Sequence, residues 1–261
     1  MPELSELGTF ITDNYRFGQK PSSVTSFNVV WPVVGKAGPD YRNINSGDYV
    51  QLASTNAADT ASGTGMRSVW IEGCLADGLT AQRELVWLNG TTPVTTAYQY
   101  ARVFRAWGQN CGTSGTNVGS LFCGYGTFTS GVPANIEWQI SADAGQTQQV
   151  TGMLPSSQTA HIHNIHWGTG RTGGGQDVLA TFQLRARRIY NVSSGKGNYE
   201  LGPWRQRMIT STIADINFDT DVNAFVLEGP SDVEVRAFTS TAGTRVHASV
   251  SYQIYRRIKR D

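Results

Sequence analysis

Apolar and polar residues alternate with a period of two along much of this chain, and glycine-containing turn dipeptides interrupt the alternation. Val246, Ala248, Val250, Tyr252 and Ile254 point one way while His247, Ser249, Ser251 and Gln253 point the other, the pattern of a half-buried antiparallel strand. Phe182, Leu184 and Ala186 alternate with Gln183, Arg185 and Arg187 in the same manner. No amphipathic stretch of three helical turns competes with these strands. The pattern therefore predicts an all-β chain, an antiparallel β-sandwich of jelly-roll-like type.

In the first half, strands are predicted over residues 66–73, 82–88 and 98–107. Asp77-Gly78 and Asn89-Gly90 lie between them, and these dipeptides tolerate the positive φ of hairpin turns, so a three-stranded meander is expected. Residues 110–130 are rich in Gly, Ser and Thr and read as a long loop or loosely packed strands, followed by a strand over 135–140. Ser141-Ala142-Asp143-Ala144-Gly145-Gln146 is the expected boundary between two β modules, residues 1–145 and 146–261. Five strands are predicted beyond it, over 161–167, 177–190, 206–216, 232–238 and 245–258.

Composition narrows the function classes. Charged residues are 16% of the 261, against about 25% in an average globular protein. Net charge is +1, which argues against a free nucleic-acid binder. The cations are 17 Arg and only 4 Lys, a bias that suits contacts in which planar guanidinium groups are covered by neighbours. No run of apolar residues approaches the length of a membrane-spanning helix, and no secretory signal is expected from the acidic N-terminus. Three cysteines form no disulfide framework; whether Cys111 and Cys123 pair across the Gly-rich stretch stays open.

Two stretches together resemble a known group. One runs Asp59-Thr60-Ala61-Ser62-Gly63-Thr64-Gly65-Met66-Arg67-Ser68-Val69-Trp70-Ile71-Glu72-Gly73 and continues after a turn with Leu88-Asn89-Gly90-Thr91-Thr92-Pro93-Val94-Thr95-Thr96. The other extends from Ala160 through Phe182-Gln183-Leu184-Arg185-Ala186-Arg187 to Asp232-Val233-Glu234-Val235-Arg236-Ala237. From about residue 25 onward the chain resembles uncharacterised virion structural proteins of tailed phages of cyanobacteria and marine bacteria, with similar sequences in large algal viruses. The resemblance implies a non-enzymatic component of capsid decoration, neck or tail fibre, located in the virion and assembled in the host cytoplasm. It implies other virion proteins as partners and supplies no catalytic residues. The chain departs from the group's pattern at His161-Ile162-His163 and in the cysteine-containing loop.

Few residues suggest chemistry. His161 and His163, two apart on a strand, share a face and are candidate metal ligands, with His166 expected to point away. One chain gives two such ligands, so a site would require a threefold axis, where three pairs supply six imidazoles. Gly168-Thr169-Gly170-Arg171-Thr172-Gly173 has the spacing of a dinucleotide loop but is followed by a strand, so a glycine turn is expected. Asp215, Asp219 and Asp221 lack the glycine and terminal glutamate of a calcium loop. No cofactor is predicted. Arg256, Arg257, Lys259 and Arg260 concentrate charge at the C-terminus and are candidates for gripping an acidic partner protein. A homo-oligomer, a trimer by preference, is expected. The alternative is a host-attachment module binding cell-surface glycan, with Trp31, Trp167 and Trp204 as candidate stacking platforms.

Overall fold

The structure is a computed structural model, and it describes residues 9–21, 26–33, 36–40, 48–76, 80–170, 179–190, 200–201, 205–211, 216–219, 225–240 and 244–256. The described residues are all-β and antiparallel; none is helical, so no helix is long and apolar enough to cross a membrane. The chain divides into two compact units, one of residues 1–38, 149–191 and 200–261, the other of residues 39–148 and 192–199.

The first unit is a sandwich. In one sheet, β1 (Thr9–Lys20) pairs with β17 (Arg245–Arg256), which pairs with β10 (Gln158–Gly170). Two short strands, β14 (Ile216–Asp219) and β15 (Phe225–Glu228), share the far side of β10. In the other sheet, β16 (Ser231–Thr239) pairs with β11 (Ala180–Tyr190), which carries β12 (Glu200–Leu201) and β13 (Arg205–Ser211) end to end on its far side. The remaining side of β16 is also shared: β2 (Asn28–Val29) lies against Arg236–Ala237, and β9 (Thr151–Leu154) against Ser231–Glu234.

Each pair of short strands fills one position, so five strands and six strands reduce to four positions per sheet. Numbered along the chain, one sheet then runs 1-8-3-6 and the other 2-7-4-5, the strand order of a jelly roll. Position two is interrupted. Val150 N–H donates to the Val30 carbonyl at 3.1 Å, Val30 N–H to Val235 at 2.9 Å, and Val235 N–H to Val150 at 2.9 Å. Val30 and Val150 therefore continue one strand, and the second unit is an insertion within it. The division at 148/149 lies close to the expected boundary at 145, but residues 1–38 belong with the C-terminal sandwich, because they supply its first strand and half of its second.

One core joins the two sheets: Ile162, Ile165, Trp167, Val246, Ala248 and Val250 face Phe182, Leu184, Val235 and Ala237. The Trp167 and Phe182 rings stack at 5.5 Å. Tyr252 and Ile254, expected in the core, are only half-buried, whereas Ser249 and Tyr255 on the opposite face are buried. Lys20 is 2% exposed and donates to the carbonyls of Lys36 (2.9 Å) and Val33 (3.4 Å), and burial lowers its pKa.

The second unit is built on a six-stranded sheet in the order β5 (Ala81–Trp87), β4 (Met66–Leu75), β6 (Val94–Cys111), β3 (Asp48–Ser54), β7 (Leu121–Thr129), β8 (Val132–Ile140). The sheet curls, since Val103 N–H on β6 reaches the Glu137 carboxylate on β8 at 3.1 Å. Its concave side holds Val50, Leu52, Val69, Ile71, Tyr100, Leu121, Trp138 and Ile140. The expected meander is not formed, because β6 pairs with β4 and not with β5. Asn89-Gly90 is occupied elsewhere: Gly90 N–H donates to the Asp59 carbonyl, its own carbonyl accepts from Ser54 N–H, and Asn89 bridges Thr60. Residues 110–130 are partly a hairpin. Ser130 (φ 49°) and Gly131 (φ 83°) form the two-residue connection between β7 and β8, with the φ > 0 pair of a type I′ turn. Cys74, Cys111 and Cys123 are thiols, and burial, with the Asp59 charge second, raises the Cys111 pKa.

Asp59 organises this unit. It is fully buried, and its carboxylate accepts from the Ser54 hydroxyl (2.6 Å) and from N–H of Met66 (2.8 Å), Val118 (2.9 Å) and Gly119 (2.8 Å). These four bonds fill its acceptor sites and tie the end of β3 to the start of β4 and to the β6–β7 connection. Gly65 must be glycine, since a Cβ there would lie 2.1 Å from Asp59 Oδ1.

Replacing Asp59 by Ala orphans two buried N–H groups, a part-buried one and a hydroxyl, and is expected to cost about 3–5 kcal/mol. Urea denaturation checks this; a loss below about 1 kcal/mol would contradict the anchoring role. A second prediction concerns Lys20. Its folded pKa lies below its unfolded one, so the unfolded chain binds more protons between the two values, and stability rises with pH there. The native chain should gain stability relative to Lys20→Met as pH rises from 7 to 10. A flat or falling difference in denaturation midpoints would contradict it.

Candidate binding surface

The convex face of the inserted sheet carries a patch built by strand register. Alternation sends Val69 and Ile71 inward and Trp70 and Glu72 outward on β4. On β5, Val86 turns inward while Arg83, Leu85 and Trp87 turn outward. Glu84, of inward parity, accepts from Tyr100 Oη at 3.1 Å and Ala97 N–H at 2.6 Å; burial first, and then this carboxylate, push the Tyr100 pKa far up.

Across β5, β4 and β6 the register places Leu85, Trp70 and Trp107 in one row. A second row is Arg83, Glu72 and Arg105. With strands about 4.8 Å apart and same-face residues about 6.8 Å apart, these rows span a flat area roughly the size of a disaccharide. Trp87, 50% exposed, lies beyond the apolar row on β5. The charged row is knit to the aromatic one. Arg105 and Arg83 lie over the Trp107 ring at 4.8 and 5.5 Å, and Arg83 pairs with Glu72 at 3.4 Å. Trp70 Nε1–H donates to Gln109 Oε1 at 2.8 Å, which fixes that indole.

The sequence reading selected other tryptophans. Trp31 is fully buried, its Nε1–H donating to the Lys36 carbonyl at 3.3 Å, and Trp167 is 1% exposed in the sandwich core, so neither is a surface platform. Trp204 lies outside the described residues. The signal that finds the real patch is the common parity of Trp70 with Glu72, and of Arg83 with Leu85 and Trp87, and it becomes usable only once β4 is known to lie between β5 and β6.

The histidines also rearrange. The His161 and His163 rings meet edge to face with centroids 4.7 Å apart, so the expected pair forms. His166, expected to point away, shares their face. A β-bulge between Ile162 and Asn164 inserts His163 as an extra residue, and the shifted parity puts Ile162, Ile165 and Trp167 inward and His161 and His166 outward. His166 meets His247 of β17 on the same face, centroids 5.8 Å apart. Among the described residues no three His, Cys, Asp or Glu side chains converge, so His161 and His163 contribute at most a pair of ligands there.

Gly168 to Gly170 continue β10, paired with His247 to Arg245, and form no turn at that point; Arg171 to Gly173 lie outside the described residues, as do Asp215 and Asp221. Arg256 is exposed at the end of β17, while Arg257, Lys259 and Arg260 lie outside the described residues. The arginine bias is satisfied in part within the chain. On the outer face of the second sandwich sheet Arg185 pairs with Glu234 and Arg187 with Asp232 at 3.3 Å, and Arg236 lies over the Phe27 ring at 5.6 Å; Arg188, near the end of β11, pairs with Glu228 of β15 in the other sheet at 3.2 Å.

No family model and no curated protein matches this chain. Among solved structures it is similar to the infectious bursal disease virus T13 viral particle, at 8% identity and a TM-score of 0.15, covering 95% of this chain and 74% of that one. It is also similar to the VP2 subviral particle of infectious bursal disease virus, at 8% identity and a TM-score of 0.17, covering 95% and 73%. Likeness at this level carries no argument about what the chain does.

The bulge yields a prediction. Removing His163 leaves Ile162 and Asn164 opposite consecutive partners, with every other side chain on its present face, so the deletion should cost no more than about 2 kcal/mol. Removing His166 inverts one end of β10 and should abolish cooperative unfolding. Equal effects of the two deletions in thermal denaturation would contradict the assigned register.

Proposed function

We propose that this chain is a non-enzymatic structural subunit of a viral particle, acting through contacts between copies of itself and with other particle proteins. The observation that carries the reading is the jelly-roll strand order, an architecture shared by viral capsid domains, with a second β unit inserted in its second strand. The fold alone also serves lectins and cupins, so the site must discriminate among these roles. The resemblance of residues 59–96 and 160–237 to virion structural proteins of tailed phages supports the particle role over the others. Low overall charge and the arginine bias suit a surface that neighbours cover. Location in the virion, and assembly in the host cytoplasm, belong to the same proposal.

Two tests follow. Sedimentation equilibrium of the purified chain should show a defined homo-oligomer, a trimer by preference; a monomer at tens of micromolar would contradict the assembly mode. Replacing Arg256 and Arg257 by Ala should leave the melting temperature within about 2 °C and reduce incorporation into particles, since like charges at a chain end are useful only opposite carboxylates. Normal incorporation at every ionic strength would remove these residues from the interface.

A further inference from the structure

We propose that the convex face of the inserted sheet binds an acidic oligosaccharide, with Trp87, Trp70 and Leu85 as the apolar floor and Arg83 as the carboxylate-recognising group. The proposal is independent of the particle role.

Three of the chain's seven tryptophans lie on three adjacent strands of one face. Indoles on an open sheet face present wide apolar area at little cost in side-chain entropy, and pyranose rings offer a matching layer of C–H groups. The centre of the floor is held in place before any ligand arrives, since Gln109 fixes Trp70, and beside it Trp107 seats the two guanidinium groups. Orientation comes from the second row, where two guanidinium groups flank one carboxylate and leave an excess positive charge. The Arg83 guanidinium lies across the face, paired with Glu72 and over Trp107, and the side chain is 62% exposed while Glu72 is 15% exposed, so Arg83 presents its guanidinium to solvent over the patch while it keeps the Glu72 pair. A planar guanidinium and a sugar carboxylate form a bidentate pair.

Charge complementarity selects this occupant over two others. A second copy of the same face would bring four guanidinium groups together against two carboxylates, a net repulsion. A nucleic-acid strand places a phosphate at every nucleotide and draws its affinity from many cations, whereas this patch offers one excess charge on a chain of net charge +1.

The test applies the purified full-length chain to an array of uronate-containing, sialylated and sulfated oligosaccharides printed beside neutral counterparts and a dT8 oligonucleotide. Tryptophan fluorescence titration then measures affinity for the strongest binder. The expected result is an acidic glycan bound at a Kd below about 1 mM, weakened about tenfold or more in both Trp87→Ala and Arg83→Ala. Arg83→Lys should not restore binding, because the bidentate geometry is lost. Unchanged melting temperatures in these exposed variants would show that the fold is intact. Absence of binding to every acidic glycan, unaltered affinity in both variants, or tighter binding of dT8 at physiological salt would each overturn the assignment. An oligomer that assembles yet binds no glycan would overturn this site and leave the particle role standing.

Discussion

Val30, Val150 and Val235 exchange three backbone hydrogen bonds of 2.9–3.1 Å, and the architecture depends on them. They make one strand of a jelly roll from two segments separated by more than a hundred residues. Everything between leaves and returns at adjacent positions, the condition under which a domain tolerates an insertion, because the strand ends need not move. The cost is long-range pairing. β1 closes on β17 at the opposite end of the chain, so the sandwich is complete only when both termini are present.

Within the insertion the organising element is a buried charge. Asp59 binds four donors from three separated segments, and the glycines around it let backbone approach where side chains would collide. The registers of β4 with its two neighbours align Trp70 with Leu85 and Trp107 and Glu72 with both arginines. The aromatic and charged rows on this face are thus a consequence of strand order and register.

Strand positions in the sandwich were legible because burial on one face leaves a period-two imprint, clearest in Phe182, Leu184 and Ala186 and in Val246, Ala248 and Val250. Topology was less legible. Asn89-Gly90 has the chemistry of a hairpin turn, but the same positive φ at Gly90 serves the Asp59 loop instead. Residues 1–38 carry no mark in the sequence that they pair with strands beyond residue 200. The bulge at His163 was hidden for a different reason: one extra residue leaves local composition unchanged while inverting the parity of everything after it. The tryptophan patch required the true strand order, which local pattern does not encode.

The chain is a jelly roll whose second strand is interrupted by an insertion. The most direct measurement excises residues 39–148, joins Gly38 to Gln149 through a short Gly/Ser linker, and records amide NMR of the product. The account predicts a dispersed spectrum with cross-strand contacts from Val30 and Val150 to Val235. A collapsed spectrum without these contacts would contradict it.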